Sequence, residues 1–278
     1  MKKSLLVAII AAASIANAHE LWVTAPEKIA ADEILKSELG YGHDFPAPEP
    51  IPAERLSIFK PLQLVDMDGK VQDLEQKGEN YQYVSKDKIG KGVYWVSAIY
   101  QPTFWSKNKD GWKMQSLKEM PDASTCQQAQ MFSKTLVVTG DAAVDVAAIS
   151  KPIGQNLEIV PLADPTKVKV DEVFPLQVFY GGKPLADATV TATSDTFIEK
   201  DIESAEDHRE IQAFSGKTSE DGKVNLVPLT EGLWKVKVAH KTPFEDAKTC
   251  MENSNTSIFV FPIGSKRAAP HEHHHHHH

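Results

Sequence analysis

Short runs of alternating apolar and polar residues, each closed by Gly, Pro or Asp, organise the chain from Leu21 to Ile263. Residues 21–23 form a brief β-prone run that Pro26 stops. Residues 34–39 alternate and then meet Gly40-Tyr41-Gly42-His43-Asp44-Phe45-Pro46, after which Pro48, Pro50 and Pro52 exclude regular structure. His43 therefore falls at a strand end, on a loop, where ligating residues commonly lie. Residues 62–65 and 71–74 flank Asp68-Gly69, a strong hairpin signal. Asp66-Met67-Asp68-Gly69 lacks the later acidic ligands of a calcium loop and reads as a turn only. Residues 93–100 predict a central strand leading to a second turn, Asp110-Gly111, framed by Trp105 and Trp112. A helix is predicted only over 124–134, with Ser124 as its cap and Cys126 in its first turn. Segments 136–138 and 144–149 return to strand-like composition.

The Pro/Gly/polar break at 151–156 marks a boundary. Beyond it, 157–162 and 173–180 predict strands, Gly181-Gly182 a turn before an alternating strand, 218–226 a hairpin, and 233–240 a last alternating strand. The phrases G-x-P-L-x-x-A-x-V from Gly182, T-x-x-D-G from Thr218 and G-x-W-x-V from Gly232 resemble carboxypeptidase-regulatory or transthyretin-like sandwich domains. The expected fold class is all-β: two β-sandwich domains, 19–152 and 153–263, the second immunoglobulin- or transthyretin-like, with at most one short helix in the first.

The ends of the chain change this picture. Met1-Lys2-Lys3, an apolar run to Ile15 and small residues at Ala16 and Ala18 read as a secretory signal peptide over 1–18, placing the protein in the periplasm with His19 as its first residue. At the other end, His271 and the six histidines His273 to His278 follow a polar Gly/Ala/Pro linker, so 264–278 reads as a linker and purification tag. The formal charge of −8 becomes about −10 when Lys2 and Lys3 are lost. Such acidity argues against nucleic acid and anionic membrane surfaces as partners. No later stretch approaches the roughly 18 apolar residues of a membrane span, so the mature chain is not expected to insert. Cys126 and Cys250, both beyond the cleavage site, are expected to pair in an oxidising compartment and tie the first half to the end of the second.

Outside the tail, the mature chain has four histidines: His19, His43, His208 and His240. A terminal histidine offers both its α-amine and its imidazole, and both lose protons at modest cost near neutrality. His240 ends a strand ten residues before Cys250, so the disulfide would bring it towards the first half. Together with His43 this makes a nitrogen-rich set suited to Ni2+, Co2+ or Cu2+ rather than to calcium. His208, inside the charged run Glu206-Asp207-His208-Arg209-Glu210, is the weakest candidate.

The mature-terminal His with E-L-W, the G-Y-G-H loop and the strand G-x-W-x-V-x-V-x-H-K resemble a periplasmic accessory family associated with nickel and cobalt uptake, additional components of energy-coupling-factor importers. The resemblance implies two β-sandwich domains, His19, His43 and His240 as ligands, and a binding role that supports an inner-membrane metal importer. No G-x-S-x-G, H-E-x-x-H or P-loop occurs, and an enzyme is not expected. Two rivals stand beside this reading. One is a copper protein or oxidative copper enzyme with a terminal histidine brace; the other is a metal-free carbohydrate-binding or adhesion module using Trp105 and Trp112.

Overall fold

The computed structural model describes residues 19–201 and 210–270. The expected signal peptide, His208 and the terminal histidine run lie outside the described residues. The strands, in chain order, are β1 (Glu20–Thr24), β2 (Lys28–Ile29), β3 (Lys36–Gly42), β4 (Gln63–Asp66), β5 (Val71–Asp73) and β6 (Glu75–Gln76). They continue as β7 (Gln82–Val84), β8 (Gly92–Asn108), β9 (Gly111–Lys113), β10 (Thr125–Thr139), β11 (Leu157–Pro161) and β12 (Phe174–Tyr180). The last six are β13 (Lys183–Pro184), β14 (Thr189–Ser194), β15 (Phe214–Lys217), β16 (Lys223–Leu226), β17 (Gly232–Pro243) and β18 (Glu252–Ile263). The all-β expectation holds.

One ten-stranded sheet runs through the whole molecule in the order β15-β14-β17-β18-β10-β8-β4-β5, with β2 on β10 and β9 on β8. Its faces are read off by alternation along each strand. Val93 and Trp95 of β8, Leu136 and Val138 of β10, and Phe259 and Phe261 of β18 point to one side. There they meet the small sheet β11-β12-β13 with β16, through Ile159, Phe174, Leu176 and Val178. Val96 and Ala98 of β8 and Val137 of β10 point the other way, towards Leu21, Val23, Leu35 and Leu39 of β1-β3-β7-β6. The architecture is thus a long central sheet covered on opposite faces by two small ones. The boundary expected at 152/153 is crossed by this sheet, because β18 lies parallel beside β10, from Gln127 against Glu252 to Thr135 against Val260.

The segment after the boundary is anchored by charge. Glu158 accepts from Lys134 Nζ at 2.7 Å and from the backbone N–H groups of Ile153, Gly154 and Gln155. Both side chains are buried, and Lys134 Nζ sits 4.4 Å from the centre of the Trp95 ring. Burial pushes the Lys134 amine down, against the pull of Glu158. Satisfying the carboxylate with three amides and an ammonium makes this burial tolerable.

Three local expectations are corrected. The helix expected over 124–134 is strand β10, which pairs with β8 on one side and β18 on the other. Gln, Ala, Met and Lys favour a helix locally, but ladders to β8 and β18 on either side supply backbone partners, with one bulge between Ala129 and Met131. Residues 144–149, expected as strand, instead hold a one-turn helix, Val146–Ile149, started by Asp145 Oδ1 accepting from Ala147 N–H. The turn at Asp221-Gly222 is present, but β15 and β16 part into different sheets, so 218–226 is a sandwich corner and not a hairpin. The hairpins at Asp68-Gly69 and Asp110-Gly111 form as expected. So does the disulfide: Cys126 and Cys250 are bonded at the open end of the parallel pair, with Cα atoms 5.2 Å apart.

Candidate functional site

The register of β1 against β3 decides where the first two histidines fall. Glu20 faces Gly42, Leu21 faces Tyr41 and Trp22 faces Gly40, so the next position outward sets His19 opposite His43. Their ring centroids are 4.4 Å apart and tilted by 40°, while His19 stacks on Tyr41 at 4.9 Å. The residues around them explain the two short motifs. Trp22 lies across Gly40, where a Cβ would overlap the indole. Its Nε1–H donates to the Pro46 carbonyl at 3.3 Å, and its ring meets Phe45 edge-on. E-L-W and G-Y-G-H are therefore two halves of one interlock.

Glu20 fastens this corner to the second half of the chain. It accepts from Lys235 Nζ at 2.9 Å and Lys237 Nζ at 3.4 Å, and Lys235 also donates to Glu210 at 2.7 Å. Burial pushes the Glu20 carboxyl up, but the two ammonium groups outweigh it and hold it below the usual carboxylate range. Lys235 is likewise held above its ordinary value by Glu20 and Glu210 in spite of its burial. A strand that begins one residue after His19 and is pinned by a buried ion pair keeps that histidine from fraying.

His19 is half-buried and His43 exposed. Burial first, then the neighbouring His43 and the charge of Arg55, lower the His19 imidazole from 6.5 to about 4. Arg55 donates through Nη1 to Tyr41 Oη at 3.1 Å and lies over the Trp105 ring at 4.9 Å. Trp105 Nε1–H donates to Tyr100 Oη at 2.6 Å, and burial pushes the Tyr100 phenol up to about 12. The wall beside the histidine pair is thus aromatic and phenolic, capped by one guanidinium.

His240 is not brought to this pair. Along β17, Lys235 and Lys237 turn towards Glu20, whereas Trp234, Val236 and Val238 turn into the opposite core. His240 shares the second parity and packs edge-on against Tyr180 of β12 at 4.6 Å. The disulfide brings the ends of β10 and β18 together, but the pleat sends His240 to the far face. Arg55 lies over the Trp105 ring at 4.9 Å, and Lys107, which faces Trp112 across the β8–β9 hairpin, holds its Nζ 5.9 Å from the Trp112 ring centre.

The donor set fits a transition-metal ion by its chemistry. Two imidazoles lie in contact, and a chain beginning at His19 adds an α-amine next to the first. Burial keeps the His19 imidazole in its neutral, ligating form. Among the described residues no group of three or more His, Cys, Asp or Glu side chains gathers at one point, so the amine is the third donor this corner can offer. Arg55 and the anchoring role of Glu20 were not singled out from sequence. The facing of His19 and His43 was legible in principle, because any antiparallel pair with Trp22 against Gly40 also sets 19 against 43.

These features define a β-sandwich protein with a histidine pair at the rim of its first strand pair. Residues 16–242 match the model described as "Domain of unknown function (DUF4198)", and the chain belongs to that family. No curated protein matches the sequence. Among solved structures, a two fibronectin type-III domain segment from chicken tenascin is similar at 10% identity, covering 86% of this chain and 97% of that one, with a TM-score of 0.21. Salmonella alpha-2-macroglobulin reacted with methylamine is similar at 10% identity over 88% of this chain and 15% of that one, and native E. coli alpha-2-macroglobulin at 11% over 87% and 14%, both with TM-scores of 0.21. Scores this low carry no argument about fold or function.

Proposed function

We propose that the protein, once cut before His19, binds a first-row divalent transition-metal ion in the periplasm through the His19 α-amine, the His19 imidazole and the His43 imidazole. Its role is capture and delivery, with Ni2+ or Co2+ as cargo for an inner-membrane importer, and no reaction is catalysed. The observation that carries this reading is the contact of His19 with His43 at 4.4 Å, set by the β1–β3 register. Nitrogen donors of this kind suit nickel, cobalt and copper, and three of them leave coordination positions open for handing the ion on. A second reading has its own support: with His240 on the opposite face, an amine and two imidazoles remain, which is the histidine-brace set of copper proteins. Copper binds most nitrogen sites more tightly than nickel, so affinity alone does not separate the two.

The test is titration of nickel into tag-free protein that begins at His19. One extra residue before His19 converts the amine into an amide and should weaken binding more than about 100-fold, beyond the loss typical of an outer-sphere partner. His43→Ala should do the same, whereas His240→Ala should bind as the parent does. Unchanged affinity in the extended chain would sink the mechanism. Metal analysis of protein purified from the periplasm decides between nickel or cobalt and copper.

A further inference from the structure

We propose that the ion arrives at this corner as a chelate of a small carboxylate-bearing molecule, and that the Arg55 guanidinium holds the carboxylate. This deepens the metal-binding reading and rests on it. Arg55 stands on the 3-10 turn Ala53–Ile58, partly buried, and its Nη1 donates to the phenol of Tyr41, whose ring stacks on His19. The face of the guanidinium is occupied by the Trp105 ring at 4.9 Å. Among the described residues no carboxylate forms an ion pair with it; Glu20 and Glu210 pair with Lys235 instead. A permanent positive charge beside a site for a divalent cation opposes binding of the bare ion. An anion that is itself a ligand of the ion reverses the sign of that interaction. It would bridge the open coordination positions to the donors of Arg55 that Tyr41 leaves free, and the planar fork of a guanidinium matches a carboxylate. Tyr41 and Trp105 hold the fork in place, so little order is lost when the anion binds. Arg55 thus sorts the cargo: metal complexes of hydroxy-acid or amino-acid type are accepted, and the hexaaqua ion is disfavoured.

The experiment is equilibrium dialysis of tag-free protein starting at His19 against nickel(II) alone, radiolabelled oxalate alone, and both together. With both, the parent should retain nickel and oxalate in equal amounts, and without nickel it should retain no oxalate. Arg55→Gln should lose retained oxalate by about tenfold or more, the worth of a charge-assisted hydrogen bond, while binding nickel alone more tightly than the parent. Arg55→Lys keeps the charge without the fork and should fall between them, which guards against a folding defect in the first variant. Equal nickel retention by the parent with and without oxalate, and no oxalate retained with nickel, would overturn the proposal and leave the metal site standing. No nickel retained under any condition would overturn both.

Discussion

Glu27, in the turn between β1 and β2, carries a carboxyl that burial, reinforced by Asp164 and partly offset by Lys28 and Arg267, pushes from 4.5 up to about 7. A folded value above the unfolded one means that folding favours the protonated acid. The stability linked to this group is therefore fully present below about pH 4.5 and lost as pH rises to about 7. Urea unfolding of the parent and of Glu27→Gln should show the parent losing stability relative to the variant across that window, with no further divergence above it. A difference that stays flat from pH 4.5 to 7.5 would contradict the assignment. Single residues elsewhere act through charge in the opposite sense: Glu20 is stabilised as an anion by Lys235 and Lys237, which keeps the first strand attached to β17 at neutral pH.

At the scale of elements, β1 and β3 are the unit that matters for the site. Their contact depends on Gly40, since any side chain there meets the Trp22 indole. Gly40→Ala should destabilise the fold by about 1–3 kcal/mol, the usual cost of overpacking, and should also shift the fluorescence of a tryptophan that is now buried. An unchanged unfolding midpoint would mean that Trp22 has another place to go. The strands themselves were largely legible: the runs at 34–39, 173–180 and 233–240 overlap β3, β12 and β17, and the Asp-Gly turns at 68–69 and 110–111 correspond to hairpins found. Segment 125–134 was not legible, because its local preferences favour a helix and only its partners β8 and β18, the latter over a hundred residues away, make it a strand; 136–138, the end of the same strand, was legible. For the site, His19 and His43 were legible from a terminal position and a loop; that His240 faces Tyr180 depends on strand parity relative to Glu20, which no single segment reveals.

In the molecule as a whole, the central sheet and the disulfide join the same two regions. Cys126–Cys250 closes 124 residues of chain, which corresponds to about 4–5 kcal/mol in the chain-entropy account. Cys126→Ser with Cys250→Ser, or reduction of the parent, should lower stability by about 2–5 kcal/mol in urea unfolding while leaving the sheet content of the native state intact. Equal midpoints with and without reductant would show that the parallel ladder of β10 and β18 carries the junction unaided. No described helix is long and apolar enough to cross a membrane. With His19 and His43 on one strand pair and His240 across the sheet, the proposed ion is held at a rim and not gripped between two halves.

The place of β18 has a consequence for the order in which the molecule can be completed. Residues 252–263 are the last of the described strands, yet they occupy the middle of the largest sheet, between β17 and β10. A chain growing from its first residue therefore has everything except the strip that joins its two margins. Until that strip arrives, β10 and β17 each present a row of unmet backbone groups, ready to pair with a neighbour. A chain stopped short of Glu252 is expected to carry two raw borders, on β10 and β17, where the complete sheet has β18 between them.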